Sequence, residues 1–177
     1  MAAPSSVLGL PHCVRMDLPV ARIEAPPGAY RDFCRREAQA CALRGSPVID
    51  WTDEVHRRLQ AVNSAVNREV RLASDWGNSG QEENWSFPDK GMGDCEDFTL
   101  EKRRRLVDGG LPGAALTCAI VFHEVQFFPH AVLLAETTTG TWVLDNLRDE
   151  VLCWDAVPYV YRLRERPDGQ WTRFALP

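Results

Sequence analysis

The order of periodicities along this 177-residue chain predicts an α+β fold, helices first and an antiparallel sheet after them. Three observations carry that expectation. Apolar residues recur at helical spacing through 51–70, and a second helical segment opens at Gly93-Asp94-Cys95 and stops at Gly109-Gly110. From residue 116 onward, short apolar runs alternate with turn residues.

Residues 1–46 are rich in Ala, Pro, Gly and Ser, with breaks at Pro11, Pro19, Pro26-Pro27-Gly28 and Pro47. They read as an irregular lead-in with one short helix around 31–43, ahead of a single domain over 47–177. Trp51, Val55, Leu59, Val62, Val66 and Val70 then step by four, four, three, four and four, which is one face of an amphipathic helix. Asp50 or Thr52 caps its start, where Asp53 and Glu54 suit the positive helix end. The long polar stretch 74–93 carries Trp76, Trp85, Phe87 and Pro88, and a loop with that many large rings is expected to shape a site. Trp85 serves either as a cleft wall or as a core residue. After the second helix, strands are predicted over 116–122, 130–136, 141–145, 159–163 and 171–174. A Thr/Gly turn covers 137–140, and Pro167-Asp168-Gly169 makes another.

Composition narrows the function. The 20 basic and 25 acidic residues leave a net charge of −5, which favours neither a nucleic-acid groove nor a polybasic membrane anchor. No apolar run reaches the roughly 18 residues of a membrane span. The start, MAAPSSVLGLP, lacks the basic n-region of an intact signal peptide. Six cysteines include no C-x2-C pair and the four histidines are scattered, so no zinc pattern is present. Cys34 and Cys41 are close enough to form a disulfide, or to be two thiols on neighbouring helical turns; spacing leaves both open. Cys118 and Cys153 sit in apolar surroundings and read as ordinary core thiols.

The chemistry-bearing residues are Cys95, His130 and Asp145. Cys95 stands at a predicted helix start, where unpaired amides and the helix dipole favour a thiolate and can stabilise an oxyanion. Gly93 leaves room for a substrate backbone. Asp94, Glu96 and Asp97 act the other way, because their charge raises a thiol pKa; an imidazolium or a bound cation would offset it. His130 opens one strand, HAVLLAE, and Asp145 closes the next, WVLDN. In an antiparallel hairpin those two ends are neighbours, which lets a carboxylate hold an imidazole in one tautomer. Asn146 is the fallback orienting residue. His123, before a turn, is assigned no role.

The segments GMGDCEDFTLEKRRRLVDGGLP, VNSAVNREV, ENWSFPDK, HAVLLAE and WVLDNL, in this order, resemble the bacterial transglutaminase-like cysteine proteinases. That family includes the periplasmic LapG-type proteases that release biofilm adhesins. The resemblance covers roughly residues 47–163. It implies a papain-like, transglutaminase-like fold with the nucleophile helix packed on an antiparallel sheet, and a cysteine endopeptidase acting on a protein substrate, with a surface adhesin as one such class. Cys95 would be the nucleophile, His130 the base and acid, and Asp145 the orienting carboxylate. Calcium would bind Asp94 and Glu96 beside the thiol, and the protein would work in the periplasm. The FCRREAQAC segment, similar to a lead-in of periplasmic relatives, favours a Cys34–Cys41 disulfide. Asp89-Lys90 departs from the family, which often carries glutamate after the proline. Two other readings use the same fold: a transglutaminase or amidase with the same triad, and a catalytically silent binding module.

Overall fold

In the computed structural model of the chain, residues 12–73 and 84–177 are described, so the expected contribution of Trp76 lies outside them. The elements are β1 (Val20–Glu24), α1 (Gly28–Arg36), α2 (Ala38–Cys41), α3 (Asp53–Glu69), β2 (Arg71–Leu72), β3 (Met92–Gly93) and α4 (Cys95–Asp108). Then come β4 (Leu116–His123), β5 (Phe128–Thr137), β6 (Gly140–Asp145), β7 (Arg148–Cys153), β8 (Tyr159–Glu165) and β9 (Trp171–Phe174). Seven strands form one sheet in the order β1-β9-β8-β4-β5-β6-β7, every neighbouring pair antiparallel. The expected α+β class holds. Two strands, β1 and β7, lack a sequence signal, since β1 is mostly exposed and β7 opens on exposed charged residues.

Helix α3 starts as its sequence dictates: the Thr52 hydroxyl accepts a hydrogen bond from the Val55 amide at 3.1 Å. Its apolar stripe seals against the sheet, and one polar residue, Asn63, is as fully buried as Leu59 and Val66. Helix α4 is buried on several sides because it lies between α3, the sheet and α1. Leu106 joins Leu59, Leu133 and Leu144 on one side, while Leu100 joins Tyr30, Phe33, Trp85 and Trp171 on the other. Trp85 is therefore a core tryptophan, with no exposed surface, and does not line a cleft.

Strand periodicity divides the sheet's two faces. Leu133 and Ala135 face the helices, whereas Val132 and Leu134 pack with Val121, Tyr161 and Phe174 on the other face, under Met16 and Leu18 of the lead-in. The lead-in thus covers the back of the sheet; one disulfide fastens it to β7 and a second closes a short loop within it. Cys34–Cys41 forms as the resemblance implied. Cys13–Cys153 joins positions 140 residues apart, which corrects the reading of Cys153 as a core thiol. Its partner could not be found from spacing, because only the folded sheet brings β7 beside residue 13. Cys118 is free and buried, as expected.

Candidate active site

The start of α4 is built from its own side chains. Asp94 is the N-cap and accepts from the Asp97 amide at 3.4 Å, which makes Cys95 the first helical residue. Asp97 faces the loop that precedes β3, where its Oδ1 accepts from the Ser86 amide at 2.9 Å and the Ser86 hydroxyl at 3.2 Å. Burial pushes the Asp97 carboxyl up to about 6 despite those bonds. A Cβ at Gly93 would lie 2.6 Å from the Asp97 Cβ, so this glycine makes room for Asp97. That contact is a structural requirement for glycine here. The loop is clamped further by Arg36, which donates to the Trp85 carbonyl at 2.9 Å, and by Arg104, 4.0 Å over the Phe87 ring and 3.1 Å from Asp89.

His130 and Asp145 meet through the β5–β6 hairpin. With Leu133 opposite Leu144, the beginning of β5 lies beside the end of β6. His130 Nε2 is 2.8 Å from Asp145 Oδ1, and both side chains are almost fully buried. The other ring nitrogen, Nδ1, is left for a second partner. Asp145 holds further contacts: the Leu147 amide donates to Oδ1 at 3.0 Å, the Tyr159 hydroxyl donates to Oδ2, and Arg148 lies 3.5 Å from Oδ2. Burial alone would raise this carboxyl. The hydrogen bond and charge of His130, with Tyr159 and the Leu147 amide, outweigh it and hold the group below the usual carboxylate range. Asp145, and not Asn146, is the hydrogen-bond partner of the imidazole. His123 serves its turn, accepting from the amides of Val125 and Gln126 at 3.3 and 3.2 Å.

The backbone around Asp145 is held from α3. Asn63 accepts from the Asp145 amide at 3.0 Å and donates to the carbonyls of Arg148 and Asp149 at 3.0 and 2.9 Å. Asn67 donates to the Asp145 and Arg148 carbonyls, both at 3.0 Å. The repeated asparagine of VNSAVN is what fixes the β6–β7 turn. That motif was visible in the sequence; its bond to the turn was not. Tyr159 and Arg148 had no signal at all, since a tyrosine in an alternating strand reads as packing.

The thiol completes the cluster. Cys95 Sγ donates to Glu96 Oε2 at 3.1 Å and receives the Ala131 amide, the residue next to His130. Burial first, then the charge and hydrogen bond of Glu96, then the charge of Asp94 push this thiol well above its ordinary pKa, with the Ala131 amide pulling the other way. In this geometry burial and the acidic neighbours together outweigh the helix-start effect that favours a thiolate. For a cation, Asp94 and Glu96 supply hard oxygen donors next to a group that their charge disturbs, which suits a dication such as calcium. Among the described residues no group of three metal-binding side chains converges, so Asp94 and Glu96 would be joined by no third such side chain from those residues.

The comparisons with known proteins agree with this architecture. The model of a family described as bacterial transglutaminase-like cysteine proteinase matches residues 20–176. Among solved structures, calcium-bound LapG of Legionella pneumophila is similar at a TM-score of 0.60 and 21% identity, over 85% of each chain. EGTA-treated LapG of the same organism is similar at 0.61 and 22% identity, over 85% of this chain and 80% of that one. No curated protein matches the sequence.

Proposed function

We propose, from the premise that this chain belongs to the bacterial transglutaminase-like cysteine proteinase family, that its peptidase chemistry runs through Cys95, His130 and Asp145. As a family member it is a cysteine peptidase with a protein substrate. The observation that carries the residue assignment is the buried His130–Asp145 pair, 2.8 Å apart, beside a thiol held against the next residue of the same strand.

In this mechanism His130 takes the thiol proton at Nδ1, since Nε2 faces Asp145. The sulfur attacks the peptide carbonyl carbon, and the developing oxyanion is met by amides at the start of α4 that have no intrahelical acceptor. His130 returns the proton to the departing amine as the C–N bond breaks, leaving a thioester on Cys95. Water, deprotonated by His130, then attacks the thioester; a carboxylic acid leaves and the thiol is restored. Asp145 stabilises the imidazolium at each stage, and Tyr159 and Asn63 hold Asp145 in place.

The proposal includes calcium dependence. Asp94 and Glu96 would hold the ion, which would supply positive charge against the carboxylates that raise the Cys95 pKa. The compartment we propose is the periplasm, supported by two disulfides that need an oxidising environment. Among the described residues no helix is long and apolar enough to cross a membrane. The substrate class to test is an exported surface adhesin.

The test is alkylation of Cys95 by iodoacetamide at neutral pH, followed by peptide mass spectrometry, in calcium and in EGTA. Calcium-stimulated labelling of Cys95, lost in His130→Ala, is the expected result. Labelling no faster than that of an unactivated thiol in both conditions, with His130→Ala unchanged, would overturn the assignment.

A further inference from the structure

The turn between β4 and β5 puts two apolar side chains into water just ahead of the catalytic imidazole. Val125 is 67% exposed and Phe127 75% exposed, and Phe127 stands three residues before His130. Among the described residues, Phe127 is also the only one outside the glycines with a left-handed backbone, at φ 58°. A bulky residue rarely takes that conformation, which glycine or asparagine adopts at less cost. The support beneath it is firm. The Phe127 amide donates to the His123 carbonyl at 2.8 Å, and the Glu124 amide donates to the Pro158 carbonyl at 3.0 Å, which ties the turn to the start of β8. The His123 ring lies 5.1 Å from Phe128 and 5.3 Å from Tyr159, and those two rings lie 5.7 and 5.6 Å from the His130 imidazole. One aromatic cluster therefore holds both the exposed turn and the catalytic ring. Neither the backbone of Phe127 nor its exposure serves stability, and such departures are characteristic of functional surfaces.

Resting on the triad assigned above, we propose that Phe127, with Val125 beside it, is a specificity-determining residue that holds an apolar side chain of the polypeptide substrate close to the scissile bond. The occupant follows from position. At about 3.3 Å per residue of strand, Phe127 and His130 are separated by about 10 Å along the chain. An extended substrate advances at the same pitch, so Phe127 meets a substrate side chain two or three residues from the bond that Cys95 attacks. A protein substrate is already required by the peptidase family, and the turn is continuous with the site through Phe128 and Tyr159. Because the turn is built before substrate arrives, little ordering is left to oppose binding. Burying an exposed phenylalanine against an apolar partner raises affinity about 10- to 100-fold.

The experiment digests a proteome-derived peptide library with the wild type, Phe127→Ser and Phe127→Gly in calcium, reads the cleavage sites by mass spectrometry, and follows urea unfolding of each protein. We expect wild-type sites to be enriched in leucine, isoleucine, valine, methionine or phenylalanine at one position two or three residues from the cleaved bond. Both variants should lose that enrichment, with kcat/KM for a peptide apolar at that position falling about tenfold and that for its serine counterpart changing less than twofold. Phe127→Gly should keep or raise the unfolding midpoint, because glycine accepts a positive φ, so the loss of preference cannot be a loss of fold. Cleavage without any apolar preference in the wild type, or the same preference in folded variants, would overturn the proposal. So would variants that change only the oligomeric state in light scattering, which would make the turn a contact between copies of this chain. A Cys95→Ala control separates the two levels. If cleavage survives in it, or the wild type cleaves nothing, the triad assignment fails and this inference with it; if cleavage needs Cys95 but ignores Phe127, only the present inference fails.

Discussion

Replacing Glu96 by glutamine tests the electrostatics of the thiol directly. The wild-type carboxylate oxygen is 3.1 Å from Cys95 Sγ and accepts its proton, and its charge is second only to burial in raising the thiol. Glutamine keeps the size and the acceptor but deletes the charge. At that distance two unit charges repel by about 1 kcal/mol in bulk water and about 5 kcal/mol at an effective dielectric of 20. Glu96 is half-exposed, so the lower part of that interval applies, equivalent to a fall of about 1 to 2 pKa units at Cys95. Below both pKa values the thiolate fraction rises about 10- to 100-fold. A less basic thiolate is a weaker nucleophile, with a Brønsted slope of about 0.4–0.5, so the net gain in alkylation rate is about 3- to 10-fold. The assay is the rate of Cys95 carbamidomethylation across pH in EGTA, with fully buried Cys118 as the internal reference. Added calcium should accelerate the wild type in the same direction and leave Glu96→Gln unchanged. A variant that labels at the wild-type rate or more slowly in EGTA would refute the reasoning, because the adjacent charge would then not govern the thiol.

Other perturbations probe the supports of the site. Asn63→Ala removes three hydrogen bonds from the β6–β7 turn, and at about 1 kcal/mol each should cost about 3 kcal/mol in urea unfolding as well as most of the turnover. A stable variant with full activity would show that α3 does not hold Asp145. Tyr159→Phe deletes one donor to the Asp145 carboxylate, so the carboxyl should rise toward its ordinary value and kcat should fall up to about tenfold with KM little changed. Steady-state kinetics would reveal a contrary pattern, with KM rising alone. Serine at both Cys13 and Cys153 opens a loop spanning 140 residues; the midpoint of denaturation should correspond to a loss of about 2–5 kcal/mol, with Cys95 alkylation at low temperature retained. Equal stability with and without the bridge would count against its fastening role.

Much of this site was legible before any coordinates. The Cys95, His130 and Asp145 positions follow from a helix start and two consecutive strand ends, because local backbone geometry largely decides where those ends fall. Thr52 and Asp94 behave as their cap positions dictate, and the Val55–Val70 stripe buries one face of α3, since helical periodicity is a property of neighbouring residues. Other features depend on residues far apart in the chain. The Cys13–Cys153 bridge, the Tyr159–Asp145 bond and the grip of Asn63 on the turn each join segments whose meeting no local pattern encodes. Trp85 could have been wall or core on composition alone, and only the packing of α1, α4 and β9 around it placed it inside. The balance at the thiol was likewise undecided in sequence: a helix start lowers its pKa and three acids raise it. Burial and a 3.1 Å contact with Glu96 decide that contest, because electrostatic energies depend on distance and desolvation, which exist only once the chain has folded.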